Sequence, residues 1–247
     1  MNRAADDLAG AVPWPSTVEE LIAVQEQLAR LVPPRWQVPA DLGPVAACFV
    51  CFARGRNGPG AAGDRGWAAA ALVDEAGEPV TATVRGPAGA PYTAGLLAMR
   101  EGPLLEAALL ALPREPALLV VNATGRDHPR RAGLALHLGV RLGVPSIGVT
   151  GRPLLAMGAT PGDEAGARIP LSIAGEIVAA WVRTRPGTRP LVAHPGWRTD
   201  VDEAVELLLR LTFRWRTPLP LRLARQAARL ARAVDAEAQG GHPGGMG

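Results

Sequence analysis

The chain has 247 residues, 48% of them hydrophobic, which is enough for one large or two small folded domains with a real core. All of its 26 basic residues are arginines, and against 23 acidic ones they leave a net charge of +3, only a weak bias toward an anionic partner. No stretch reaches the ~18 continuous apolar residues of a membrane helix, the opening MNRAADDLAG lacks the apolar core of a signal peptide, and the two cysteines are too few for a metal site of their own.

The first helix is expected from Val18 to Leu31, opened by a capping box of Ser16 with Glu19 or Thr17 with Glu20 and closed before Pro33-Pro34. VAACFVCF (45–52) reads as a buried strand. In a strand Cys48 and Cys51 point to opposite faces, so no disulfide joins them, and a reducing, cytoplasmic setting is expected. RGRNGPGAAGDRG (54–66) is a loose loop, and GWAAAALV (66–73) and PVTATV (79–84) are two more strands around a turn at Asp74 to Glu78. Residues 45–84 thus form an antiparallel meander.

After a linker from Pro87 to Pro91, YTAGLLAMREGPLLEAALLAL reads as two helical pieces, with Pro103 in the first turn of the second. ALLVV (117–121) is nearly all apolar, the pattern of a central strand covered on both faces. A helix from Arg131 to Leu142 and a strand PSIGVT (145–150) complete a parallel βαβ unit. Residues 175–194 form a hairpin about Pro186-Gly187, and Thr199 or Asp200 caps the helix DEAVELLLRLTF. A basic helix over 221–234 presents Arg222, Arg225, Arg229 and Arg232 broadly on one face, suited to solvent or to a phosphate backbone. The whole reads as one α/β domain over residues 1–235, a mixed sheet with helices on both sides, followed by a disordered tail over 236–247.

Ligands in open α/β folds bind beyond the carboxyl ends of the strands. Asn122 follows the 117–121 strand, with His128, Arg130 and Arg131 just beyond it, and Thr150, Gly151 and Arg152 follow the 145–149 strand. Glu101 lies in the charged break MREGP. Each has a plain structural role open to it: a turn for Asn122, a helix start for Glu101, a cap for His128, solvated surface for the arginines. Together they would make an anion or nucleic-acid site. Tyr92, the chain's only tyrosine, stands after Pro91, where an exposed ring can stack on or wedge beside a base.

PYTAGLLAMREGP (91–103), NATGRDHPRRAGLALHLGVRLGVPSIGVT (122–150), HPGWRTDVDEAVELLLRLT (194–212) and PLPLRLA (218–224) together resemble the endonuclease V family in order and spacing over residues 17–235. The resemblance implies a ribonuclease H-like fold and a magnesium-dependent endonuclease that cuts DNA near deoxyinosine, or RNA near inosine, in DNA repair. It also implies site residues. The family's metal-binding glutamate is Glu101, its conserved histidine is His128 and its strand-separating tyrosine is Tyr92, although the wedge's second proline is Ala94. Arg100, Arg130, Arg131 and Arg152 fall where nucleic acid would be held.

Other positions depart from the family. Its first metal-binding aspartate matches Phe49, its strand-end aspartate Asn122, its lysine Gly151, and the histidine of its Pro-Gly-His block Trp197. Phenylalanine offers magnesium nothing, and asparagine offers one neutral oxygen. Magnesium sheds water reluctantly and relies on carboxylates, so binding and water activation should be severely weakened. Arg152 can replace the lost lysine's charge but not its proton transfer. The leading expectation is therefore a monomeric endonuclease V-like protein that binds nucleic acid with Mg2+-dependent cleavage lost or strongly impaired. One alternative is an active enzyme with a metal site rebuilt from Glu101, Asp127 and Asp200. Another is a scaffold or protein-binding module.

Overall fold

Thr17 opens the first helix, α1 (Val18–Arg30), through a capping box in which its hydroxyl accepts from the Glu20 amide while the Glu20 carboxylate bonds back to Thr17. Of the two possible boxes, the chain uses this one. The computed structural model describes residues 14–53, 60–74 and 78–240. Residues 54–59 of the expected 54–66 loop, the centre of the 74–78 turn and residues 241–247 lie outside them.

Eight strands make one sheet: β1 (Val45–Phe52), β2 (Arg65–Val73), β3 (Val80–Pro87), β4 (Leu118–Val121), β5 (Ser146–Thr150), β6 (Arg168–Ile173), β7 (Glu176–Val182) and β8 (Leu191–Pro195). Their spatial order is β3-β2-β1-β4-β5-β8-β7-β6. The expected antiparallel meander is β1 to β3, and β1, β4 and β5 run parallel at the centre. β5 pairs antiparallel with β8, and β8 with β7. β6, which periodicity did not reveal, pairs with β7 at the far edge. Its run RIPLSI contains a proline and only one fully buried residue, so little in the sequence marks it.

Helices cover both faces. On one, α2 (Leu97–Leu110) and α3 (Leu134–Leu142) bury Ala46, Cys48, Leu119 and Val121. On the other, α4 (Val201–Leu211) and α5 (Leu219–Gly240) cover Ala47, Val120, Ile147 and Val149. The two cysteines divide as expected: Cys48 lies under α2, while the Cys51 thiol donates to the Ala228 carbonyl of α5. The alanine run of β2, Ala68 to Ala71, is fully buried, as are Ala224 and Ala228 of α5, so this helix packs close over β1 and β2. Its far end is held by Trp67, whose indole donates to Asp235 at 2.8 Å.

Three boundaries differ from expectation. The 92–112 segment holds a single helix, α2 (Leu97–Leu110), with Pro103 inside it. Proline removes the amide that would serve the Met99 carbonyl, and Gly89 fills that gap by close approach: a Cβ there would sit 2.2 Å from the Met99 oxygen. The Gly89 amide donates to the next carbonyl, Arg100, at 3.2 Å. α3 begins at Leu134 because Arg131 takes a left-handed conformation, φ 55°, and Gly133 is the extended N-cap. α5 continues to Gly240 and so takes in residues 236–240, which the composition assigns to a tail.

Candidate functional site

The carboxyl ends of β1, β4 and β5 set the geometry. Cys48 on β1 pairs with Val121 on β4, so the next residues along, Phe49 and Asn122, stand at one level on adjacent parallel strands. Two aspartates there would be side by side. Phe49 faces α5, where the Arg225 guanidinium lies 5.2 Å from its ring centroid and that of Arg229 6.0 Å. Arg222 stacks on Trp215 at 4.4 Å. Burial first, then the charges of Arg229, Arg216 and Arg222, weaken the hold of Arg225 on its proton. The Nε of Arg225 is buried without a hydrogen-bond partner.

Glu101 lies on the opposite face, beside Cys48, whose thiol burial and the Glu101 charge push up. Burial raises Glu101 itself to about 7, against a smaller opposing effect of Arg100. The sign of the linkage follows. The folded chain holds this proton more tightly than the unfolded one, whose carboxyl titrates near 4.5. Stability from the protonated form is complete below that value and is lost as pH rises through about 7. Glu101→Gln is expected to remove this decline, raising stability near pH 8 by roughly 1–3 kcal/mol and changing it little near pH 4. Denaturant unfolding of both chains across that range checks it.

A cavity of about 320 Å3 opens between the 92–97 loop, the 122–124 turn and the 150–154 loop, and Tyr92, Asn122, His128, Gly151 and Arg152 all line it. The structure thus brings together five of the residues singled out in the sequence. Tyr92 is 45% exposed at its mouth. Asn122, Gly151 and Arg152 are exposed too, and a side chain added at Gly151 would meet nothing within 4 Å. The volume lies within the range of small-ligand pockets.

The HPRR segment builds the wall of this cavity. His128 Nδ1 accepts from the Arg130 amide at 3.2 Å, which leaves Nε2 to donate to the Gly95 carbonyl at 3.1 Å. The same carbonyl accepts from Arg130 Nη2 at 3.0 Å and Gln25 Nε2 at 3.2 Å. Gly95 itself needs glycine's freedom, with φ 80°. Three donors from α1 and the HPRR turn therefore fix the loop that carries Tyr92. Burial lowers His128 to about 4, so it is a neutral positioning group near pH 7. Arg130 also donates to the Gln25 side chain at 2.6 Å.

Several expected site residues have other work. Arg100 is buried, donating to the carbonyls of Ala61 and Ala90 and to Asp64 at 2.7–2.9 Å, and so holds the loop ahead of β2 instead of facing solvent. Arg131 pairs with Glu176 at 3.2 Å and donates to Ile173. Asp127 is wholly buried, and its carboxylate accepts from the amides of Leu154, Leu155 and Ala156 at 2.6–2.8 Å. Asp200 is the N-cap of α4 and pairs with Arg35 at 2.6 Å. Because β8 runs antiparallel to β5, the chain after Pro195 returns to the amino ends of the parallel strands. Trp197 and Asp200 therefore lie at the other end of the sheet from Asn122. Trp197 packs with Leu28, Leu136 and Val140. Among the described residues, no three His, Cys, Asp or Glu side chains gather where they could hold a metal ion.

Sequence reasoning noticed the arginines of α5 but not their position over Phe49, which depends on how that helix crosses the sheet. It also missed Gln25, a lone polar residue on an otherwise apolar helix stripe, and His194, fully buried with Nε2 at 2.9 Å from the Thr150 hydroxyl.

The family model for Endonuclease V matches residues 46–226. Endonuclease V of Azotobacter vinelandii is 38% identical over 217 residues, covering 87% of this chain and 95% of that one. The crystal structure of endonuclease V from Streptomyces avermitilis superposes with a TM-score of 0.80 at 36% identity, covering 92% of this chain and 99% of the other. Ciona intestinalis endonuclease V, solved with a 24mer DNA containing an inosine followed by a ribo-adenosine, has a TM-score of 0.71 at 20% identity over 88% of this chain and 98% of its own.

Proposed function

Because the chain belongs to the endonuclease V family, we propose that it docks inosine-containing nucleic acid without metal-dependent cutting. The observation that carries this reading is the Arg225 guanidinium over Phe49, beside Asn122. Where the resemblance puts two magnesium-binding carboxylates, the chain has an aromatic ring, a neutral amide and a positive charge. Glu101 alone remains, and burial raises its carboxyl above the usual carboxylate range. This donor set does not fit magnesium, which needs carboxylates to replace its waters. No step of hydrolysis is assigned to it.

The docking half of the reading rests on what is kept. Tyr92 is exposed on a loop held by three donors to Gly95, next to a cavity large enough for a nucleobase. A ring so placed can fill the gap left by a base turned out of its stack, while the cavity receives the base. Asn122 and the backbone of the 150–154 loop offer hydrogen-bonding groups to its edge.

Fluorescence anisotropy with a labelled single strand carrying one deoxyinosine tests the reading, with the all-guanine strand and an inosine RNA as comparisons. Binding is expected, and Tyr92→Ala should weaken it about 10- to 100-fold, the worth of one base–aromatic stack. A chain that binds no strand at low salt would instead be a scaffold or protein-binding module.

A further inference from the structure

Among the described residues, no carboxylate pairs with the arginines at the centre of the cationic face of α5. Arg222, Arg225 and Arg229 take part in no ion pair among the described residues. They line an open groove of about 610 Å3 together with Trp215 and Leu230. Charges of one sign so close together cost free energy unless a ligand compensates them. The Arg225 and Arg229 guanidinium groups lie 5.2 and 6.0 Å from the Phe49 ring centroid and that of Arg222 4.4 Å from the Trp215 centroid, so two aromatic rings gather the three charges along one face. Planar donors suit the oxygens of a phosphodiester, which they can grip in pairs. From Arg222 to Arg229 the helix rises about 10 Å, the reach of roughly two or three successive backbone phosphates. Trp215, 45% exposed beside Arg222, offers a face for a base of the same strand.

We propose that Arg225 and Arg229, with Arg222 extending the track, form a metal-free clamp for the phosphodiester backbone of a single strand at the level of Phe49 and Asn122. The inference rests on the docking reading above and adds to it how the backbone is held. A guanidinium pair on a phenyl ring supplies the positive charge that magnesium supplies in the resembled family. Binding therefore needs no divalent ion.

The test is salt-dependent anisotropy with the single deoxyinosine strand, in EDTA and in millimolar Mg2+, for the parent, R225Q/R229Q and Tyr92→Ala. The parent is expected to bind in EDTA at least as tightly as in Mg2+, which competes for the same phosphates. R225Q/R229Q should lose about 10- to 100-fold in affinity and flatten the log–log salt slope by about 1.4, two single-strand phosphate contacts. R225K/R229K, which keeps the charge, should recover the slope but not the full affinity. If R225Q/R229Q does not fold, Arg229→Gln carries the test through its exposed side chain, with a slope change of about 0.7. Parent binding that requires Mg2+, or an unchanged slope in the folded variant, overturns the clamp. If the slope is unchanged while Tyr92→Ala abolishes binding, the clamp fails and the docking reading stands. Should the parent bind no strand, or bind only vesicles rich in phosphatidylserine, both fail.

Discussion

Restoring aspartates with Phe49→Asp and Asn122→Asp is expected to produce little Mg2+ binding, and adding Arg225→Ala is expected to tighten it about ten- to a hundredfold. The reason lies in what stands over position 49. A carboxylate placed there meets the Arg225 guanidinium, now 5.2 Å from the ring centroid, and forms an ion pair. Magnesium would have to displace that partner and bear its repulsion. At about 5 Å one unit charge opposes a divalent ion by roughly 2 kcal/mol even at the dielectric constant of water. Trp197 does not limit the reversion, since it lies at the other end of the sheet in a separate core cluster. Gly151 leaves room for the first atom of a side chain, because a Cβ added there would meet nothing within 4 Å. Titration calorimetry with Mg2+ on the double and triple variants decides the matter. Equal binding by both would show that Arg225 does not govern the site.

Asp127→Ala should be the most destabilising single change near the cavity, costing about 3–5 kcal/mol. Its carboxylate is wholly buried and accepts from three successive amides of the 154–156 segment. Removing it leaves three donors without their partner, that of Ala156 in a buried position. Asp127→Asn keeps one acceptor oxygen and should cost less. Because the segment walls the cavity, loss of nucleic-acid binding should accompany loss of stability. Denaturant midpoints measured for both variants test this. A small effect of the alanine change would mean that the loop satisfies its amides in another way.

The two readings of Asp127 show where sequence stops being informative. Its position after a strand end made it eligible as a metal ligand, and nothing local told that it would be enclosed by a loop 27 residues further on. Asp200 failed for a topological reason: the sense of β8 was readable as a hairpin strand, but not which strand β8 would join. Arg100 was legible only as a charge, because its partners lie in a loop 36–39 residues away. By contrast, Asn122, His128, Tyr92, Gly151 and Arg152 were found together because strand ends and glycine turns carry their own local signals. The helices were legible where capping and periodicity agreed, as at Thr17 and Asp200. They were misjudged at Pro103, where the helix runs on through the proline and Gly89 approaches the Met99 carbonyl that proline leaves without its helical amide.

The HPRR turn and the residues at positions 49 and 122 fit the one account proposed above. The turn shapes the loop of Tyr92, which the docking reading needs whether or not the chain cuts. On that account carboxylates at positions 49 and 122 would be needed only to hold a metal ion. The most direct test of that account is a gel of an end-labelled strand with a single deoxyinosine, and of its inosine RNA counterpart, incubated with the parent chain in Mg2+ and in Mn2+. Strands that are bound but remain intact are the expected result. Cutting beside the inosine that depends on the metal and disappears in Glu101→Ala would contradict it.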